Sequence, residues 1–212
     1  MTFRSLLCWT ALAAAPVCSA QQWEVAAMGG FGTTWNTAIS NGDGSVSAGL
    51  RNGPVFGAAF ASNDYRLIGG EVGYLWRQGG LKLRGGGQEP DFGGHAQFAD
   101  FRILLHFAPK GARIRPFVAA GGGLAVYTGS GAESSGQPLN SFAALTHTRQ
   151  TELALSVAAG VKGQWTRRLG WRLEARDYLT PFPDRVIAPA PGTSGGGWLH
   201  NSLLVAGIVV VF

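Results

Sequence analysis

Cysteine is almost missing from this 212-residue chain: there are two, Cys8 and Cys18, both within the first twenty positions. Residues 21–212 therefore have no disulfide, no thiolate metal site and no thiol nucleophile. Charge is also scarce, at 14% of residues against the ~25% of average usage. No apolar run approaches the ~20 residues of a spanning helix, which excludes a helical membrane protein. The glycines follow no triplet period, which excludes collagen. Seven Trp, twelve Phe and four Tyr with so little charge exclude a disordered chain.

Glycine is abundant, at 33 positions, and hydrophobic residues make up 46%. The segment Met1 to Ala20 has a basic start at Arg4, an apolar stretch from Leu6 to Ala15, and small residues at Cys18-Ser19-Ala20. That is the layout of a secretory signal peptide spanning residues 1–20, with 21–212 as the mature domain. Ala15-Pro16-Val17 before Cys18 does not match a lipidation site. The formal charge is +5, or +4 without Arg4, and the surplus reads as scattered. A nucleic-acid interface needs clustered basic residues, so no nucleic-acid partner is expected.

The remainder alternates with a period of two, the repeat of a strand with unlike faces. Leu204, Ala206, Ile208, Val210 and Phe212 share one face of the last segment. Trp23 to Phe31, Ile68 to Arg77, Ala99 to Phe107, Val118 to Val126, Leu153 to Val161 and Trp171 to Arg176 alternate likewise. Pro54 to Ala61 is an eighth candidate, but it has no charge to mark its inner face and its register stays open. Connections alternate between short, as at Ser62 to Tyr65, Pro109 to Arg113 and Thr166 to Gly170, and long. The long ones are rich in Gly, Ser, Asn, Asp and Pro, and none suggests a further sheet. This predicts an all-β fold: an eight-stranded antiparallel up-and-down transmembrane barrel with both ends on the short-turn side.

Polarity decides between a membrane barrel and a soluble one. The apolar faces end in aromatics, with Trp23, Trp76, Trp165, Trp171, Trp198 and Phe212 near strand ends, as in the girdles of outer-membrane barrels. The opposite faces carry Glu24, Glu71, Asp100, Glu152 and Glu174 with Arg102, Lys162, Arg172 and Arg176, and His106 beside them. In hydrocarbon each charge would cost several kcal/mol, whereas in a narrow lumen they can pair and fill it. A periplasmic soluble ligand-binding barrel would instead expose the apolar faces or need a second sheet over them.

Chemistry is sparse. The clusters Gly85 to Gly87, Gly121 to Gly123 and Gly195 to Gly197 lack the strand-to-helix context and Lys of a phosphate loop. His95, His106, His147 and His200 show no metal-ligand spacing, so neither metal nor cofactor is implied. His200 and Ser202, two apart on a strand, share the lipid-facing side, and Asp177 continues the outward face of the preceding strand. These three are candidate catalytic residues: a Ser attacking an ester, a His taking its proton and an acid orienting the His. Such a trio resembles the arrangement of outer-membrane lipid A deacylases. The segment Arg176 to Pro183 reads as a stiff exit from its strand, set by Pro181 and Pro183.

The run Arg115-Pro116-Phe117-Val118-Ala119-Ala120-Gly121-Gly122-Gly123 resembles the Pro-aromatic-Val-x-x-Gly-x-Gly strand of the outer-membrane protein β-barrel domain family, the small OmpA/OmpX-type eight-stranded barrels. The terminal strand ending in Phe212 resembles the signal read by the barrel-assembly machinery, with Val210 where many members carry Tyr. The resemblance implies location in the outer membrane, with lipid and that machinery as partners. It implies no single activity. The expectation is a structural or adhesion-like surface barrel with a charge-plugged lumen. A lipid-modifying enzyme, a narrow porin-like pore and the soluble binding barrel are the alternatives.

Overall fold

A computed structural model describes residues 23–212 except 43, 64, 134 and 135. The expected signal peptide lies outside the described residues. Every regular element among the described residues is a strand. In chain order they are β1 (Trp23–Trp35), β2 (Thr37–Ser40), β3 (Ser45–Leu50), β4 (Gly53–Ser62), β5 (Ile68–Gln78), β6 (Leu81–Arg84) and β7 (Gly94–His106). Then come β8 (Ile114–Gly129), β9 (Ala143–Leu145), β10 (Arg149–Gln164), β11 (Leu169–Pro181), β12 (Ile187–Pro189), β13 (Ser194–Gly195) and β14 (Trp198–Val211). Eight of them close into one barrel in the order β1-β14-β11-β10-β8-β7-β5-β4. Each neighbouring pair is antiparallel, and β1 pairs with β14 to close the cylinder.

The alternation sorts the two faces as an apolar solvent outside requires. Phe31, Phe101, Ile103, Leu153, Leu155, Leu204 and Ile208 point outward and are half or more exposed, whereas Glu71, Arg102, Arg172, Glu174 and Arg176 are buried inside. A soluble barrel has the reverse polarity. The open register of Pro54 to Ala61 resolves with Phe56 and Phe60 outward and Val55, Ala59 and Ala61 inward. All six girdle aromatics sit on the outer surface at strand ends. Trp23, Trp165, Trp171 and Phe212 lie at the turn end, and Trp76 and Trp198 at the loop end. Trp23 stacks on Phe60 at 5.1 Å and Trp76 on Phe56 at 6.4 Å. Trp35, also outward and 65% exposed, extends the loop-end belt.

The strands outrun the ~9–11 residues needed to cross hydrocarbon: β8 and β10 have 16 residues each and β14 has 14. Near the loop end the outward positions turn polar at Gln97, Thr128 and Thr151, so the cylinder continues past the apolar band.

Two expectations are corrected here. The long connections are not plain loops. They fold into a four-stranded sheet, β13-β2-β3-β6, and a two-stranded one, β12-β9. The reason is visible in Ile39, Val46, Ala48, Leu50, Leu81 and Leu83, alternating apolar residues all buried in a core continuous with the barrel interior. The lumen, secondly, is not filled by charge alone. Above the charged layer Phe98 stacks on Tyr178 at 4.4 Å and meets Tyr127 edge-on at 6.3 Å, with Leu75, Ala96, Ala125 and Leu203 beside them.

Glycine lets two strands approach closely. A Cβ on Gly121 would stand 1.9 Å from the Phe101 carbonyl oxygen, and one on Gly123 would stand 2.0 Å from that of Ala99. At the exit of β11, Pro181 still pairs with Trp198, Phe182 is buried, and the chain turns over Pro183 to Val186.

Candidate functional site: the lumen and a polar trio on the outer wall

Six lumen charges interlock midway up the barrel. Glu71 and Arg102 are cross-strand partners on β5 and β7, which places their side chains side by side. Arg102 and Arg172 both donate to Glu71. Arg102 also pairs with Glu174 at 2.5 Å and Asp100 at 3.2 Å. Arg172 pairs with Glu174 at 2.5 Å, and Arg176 with Glu174 at 2.7 Å and Asp100 at 3.6 Å. Three carboxylates thus neutralise three guanidiniums, with side-chain exposures of 0–2%. Such a cluster can exist away from water only because each charge is matched.

Lower down, Lys162 pairs with Glu24 at 2.5 Å, and the Arg172 guanidinium lies 4.7 Å over the Phe117 ring. Glu152 stands apart from this network, accepting from Gln150 near the loop end. His106 is buried beside Phe117, with Nδ1 3.3 Å from the Leu67 carbonyl.

A polar ring above the aromatic layer was missed in the sequence. Arg77, fully buried, donates to Thr34 Oγ1 at 2.7 Å, Asn201 Oδ1 at 3.0 Å and the Arg51 carbonyl at 2.9 Å. The Tyr127 hydroxyl lies 2.7 Å from Thr180 Oγ1 and accepts from Asn201 Nδ2 at 2.8 Å. The signal was present, since Arg77 lies six residues from Glu71 and a period of two puts both inside. With Arg77 included, the lumen holds Arg77, Arg102, Lys162, Arg172 and Arg176 against Glu24, Glu71, Asp100, Glu152 and Glu174.

On the outer wall, Asp177, His200 and Ser202 come together. Asp177 sits opposite Ser202 in the β11–β14 register, and Ser202 opposite Thr33 in that of β1–β14. On these three adjacent strands the outward face changes character at one level. It passes from Phe31 to Thr33, from Ala175 to Asp177, and from Leu204 to Ser202 and His200. Asp177 accepts from both partners: its Oδ2 is 2.7 Å from His200 Nδ1, and its Oδ1 is 2.9 Å from Ser202 Oγ. The Trp35 ring centres 5.5 Å from that of His200. Below the trio is an open groove between Phe31, Val157, Ala159, Ala175 and Leu204, deepened by the small Ala side chains.

The acid therefore stands between Ser and His. A relay in which the imidazole takes the Ser proton requires the Ser202 hydroxyl to leave Asp177 and turn to His200 Nε2. The remaining histidines are local: His95 Nε2 lies 3.3 Å from Gln97 Nε2, and His147 Nδ1 lies 3.3 Å from the Gly131 carbonyl. No cluster of His, Cys, Asp and Glu able to hold a metal occurs among the described residues.

No protein-family profile matches the chain. No curated protein matches its sequence significantly. Solved structures do match in fold. The outer membrane protein OprG from Pseudomonas aeruginosa superposes with a TM-score of 0.58 at 11% identity, over 92% of this chain and 98% of that one. Neisserial surface protein A gives 0.56 at 15%, over 92% and 99%. The outer membrane protease OmpT from Escherichia coli gives 0.52 at 11%, over 94% and 99%. At these identities the likeness is one of fold: the chain has the architecture of small outer-membrane barrels.

Proposed function

We propose that the protein resides in the outer membrane as a closed barrel that conducts no solute, and that it acts through its capped loop end and its lipid-facing wall. The observation that carries this reading is the matched and buried charge layer. Three carboxylates and three guanidiniums cross the lumen with no exposed side chain above 2%, and the aromatic layer and apolar cap lie over them. An open pore requires a continuous wet path, and these layers interrupt it. The cap then supports a structural or surface-interaction role. In this reading residues 1–20 direct export, and the strand ending in Phe212 is read by the assembly machinery.

Single-channel recording on the purified barrel in planar bilayers tests it. The expected trace shows no conductance steps, and regular steps refute the closed lumen. A heated and unheated gel of the outer-membrane fraction tests location. A band there that shifts on boiling is expected, and recovery as an unshifted soluble protein refutes insertion.

A second reading is favoured by the trio Asp177, His200 and Ser202. A nucleophile, a base and an acid within hydrogen-bonding reach, where the outer face turns from apolar to polar, suit hydrolysis of a lipid ester whose acyl chain lies in the groove below. Lipid A mass spectrometry on cells expressing the barrel tests this. Loss of one ester-linked acyl chain, abolished by His200→Ala and by Ser202→Ala, is expected. An unchanged lipid A spectrum refutes it and leaves the trio as polar groups at headgroup depth.

A further inference from the structure

The basic surplus, which reads as scattered along the chain, is gathered by the fold at one end. Of the inward-facing charges, the five acids are matched in number by the five bases named above, and Arg115 at the turn-end mouth is left over. In the connections toward the loop end and at the start of β10, Arg51, Lys82, Arg84, Arg149 and Arg185 are matched in number by Glu89, Asp91, Glu133, Asp184 and Asp43, the last outside the described residues. The three short turns differ. They and the start of β8 carry Arg66, Lys110, Arg113, Arg115, Arg167 and Arg168, and their only acid is Asp64, outside the described residues.

Arg66, Arg113, Arg167 and Arg168 are exposed. Arg115 is buried at the barrel mouth and donates to two carbonyls, those of Ala108 and Arg66, each at 3.0 Å. It lines a small pocket there with Lys110, Lys162 and Glu24. Interleaved with these cations are Tyr65, Phe107, Trp165 and Phe212, each at least 60% exposed.

We infer that this turn-end rim binds the anionic phospholipid headgroups of the leaflet it stands in. The inference rests on the proposed insertion into a membrane. Exposed apolar Leu67, Ile114 and Leu169 lie next to the arginines in sequence, and Ile68 and Leu105 pair across β5 and β7 just above, so the rings and guanidiniums sit where hydrocarbon gives way to phosphate. A like-charged rim at that depth is repelled by itself and attracted by a negative leaflet surface. The Arg side chain also suits bidentate phosphate contact. An acidic protein partner would satisfy the charge, but it would not account for the exposed aromatics at the same level.

The test uses barrel expressed from the full chain, purified from membranes and reconstituted in vesicles of phosphatidylcholine with an equal share of phosphatidylglycerol. Lipid that remains bound after extraction is counted by native mass spectrometry. The wild type is expected to retain phosphatidylglycerol over phosphatidylcholine by roughly fivefold, the factor that one basic residue near a charged surface supplies. The selectivity should fall toward unity in 1 M salt. R66Q/R113Q/R167Q/R168Q should abolish it, and the milder R167Q/R168Q should reduce it. K82Q/R84Q/R149Q/R185Q, at the loop end, should leave it intact.

Selectivity that survives the turn substitutions, or that falls equally with the loop ones, overturns the inference. Absence of selectivity together with binding of poly-glutamate reassigns the rim to an acidic protein. Failure of the wild type to insert, seen as no shift of the unheated band, overturns the membrane reading itself and is read before any lipid is counted.

Discussion

Replacing Glu71 by Gln keeps the shape of the side chain and removes one of three negative charges from a layer that holds three positive ones. Arg102 and Arg172 each lose an ionic partner, and one guanidinium charge is left unmatched at a site with no solvent exposure. Breaking a buried pair in this way costs about 3–5 kcal/mol, mainly from the uncompensated charge rather than the lost contact. With a urea dependence of about 2 kcal/mol per molar, the unfolding midpoint should fall by roughly 2 M. The assay is the fraction of folded, heat-shiftable barrel across a urea series in detergent micelles. The second arm of the experiment is E71Q/R172Q, which restores neutrality. Its midpoint should lie above the sum of the two single losses, with a coupling of about 1–3 kcal/mol. A midpoint for Glu71→Gln within about 0.5 M of wild type would refute the claim that this layer depends on matched charge, and so would strict additivity.

Further substitutions check the faces and the packing. Leu155→Arg puts a charge on the outer wall and should cost about 2–4 kcal/mol of assembled barrel, whereas Ser156→Ala, inward and without a partner for its buried hydroxyl, should change little; folded yield in the membrane fraction compares them, and equal effects would mean the faces are misassigned. Gly121→Val should abolish the unheated fast-migrating band because its Cβ meets the Phe101 carbonyl, while Gly136→Ala, with nothing within 4 Å, should leave that band unaltered. Phe92→Ala empties the space under the cap sheet and should expose residues 79–93 to protease, with the barrel still heat-shiftable because its eight strands pair without it.

Much of the barrel was legible because a strand at a membrane boundary writes both solvents into alternate residues. Leu153, Leu155 and Val157 against Glu152 and Ser156, or Leu173 and Ala175 against Arg172 and Glu174, need no partner strand to be read. Where one face lacks charge the reading weakens, as with Pro54 to Ala61, whose register came only from pairing with β1 and β5. The sheets over the loop end were missed for a related reason. β2 and β3 are short, and Ile39, Val46 and Ala48 are separated by Gly, Ser and Asn that look like loop; their burial depends on β6, more than thirty residues away.

The sequence alone determined the polarity of the cylinder and the number of strands that close it, since each follows from local alternation and composition. Only the tertiary structure decided which charges meet and that Asp177 rather than His200 holds the Ser202 hydroxyl. Those outcomes depend on register between strands remote in the chain. A shift of one residue between two strands leaves each strand's own pattern intact while changing every contact across them.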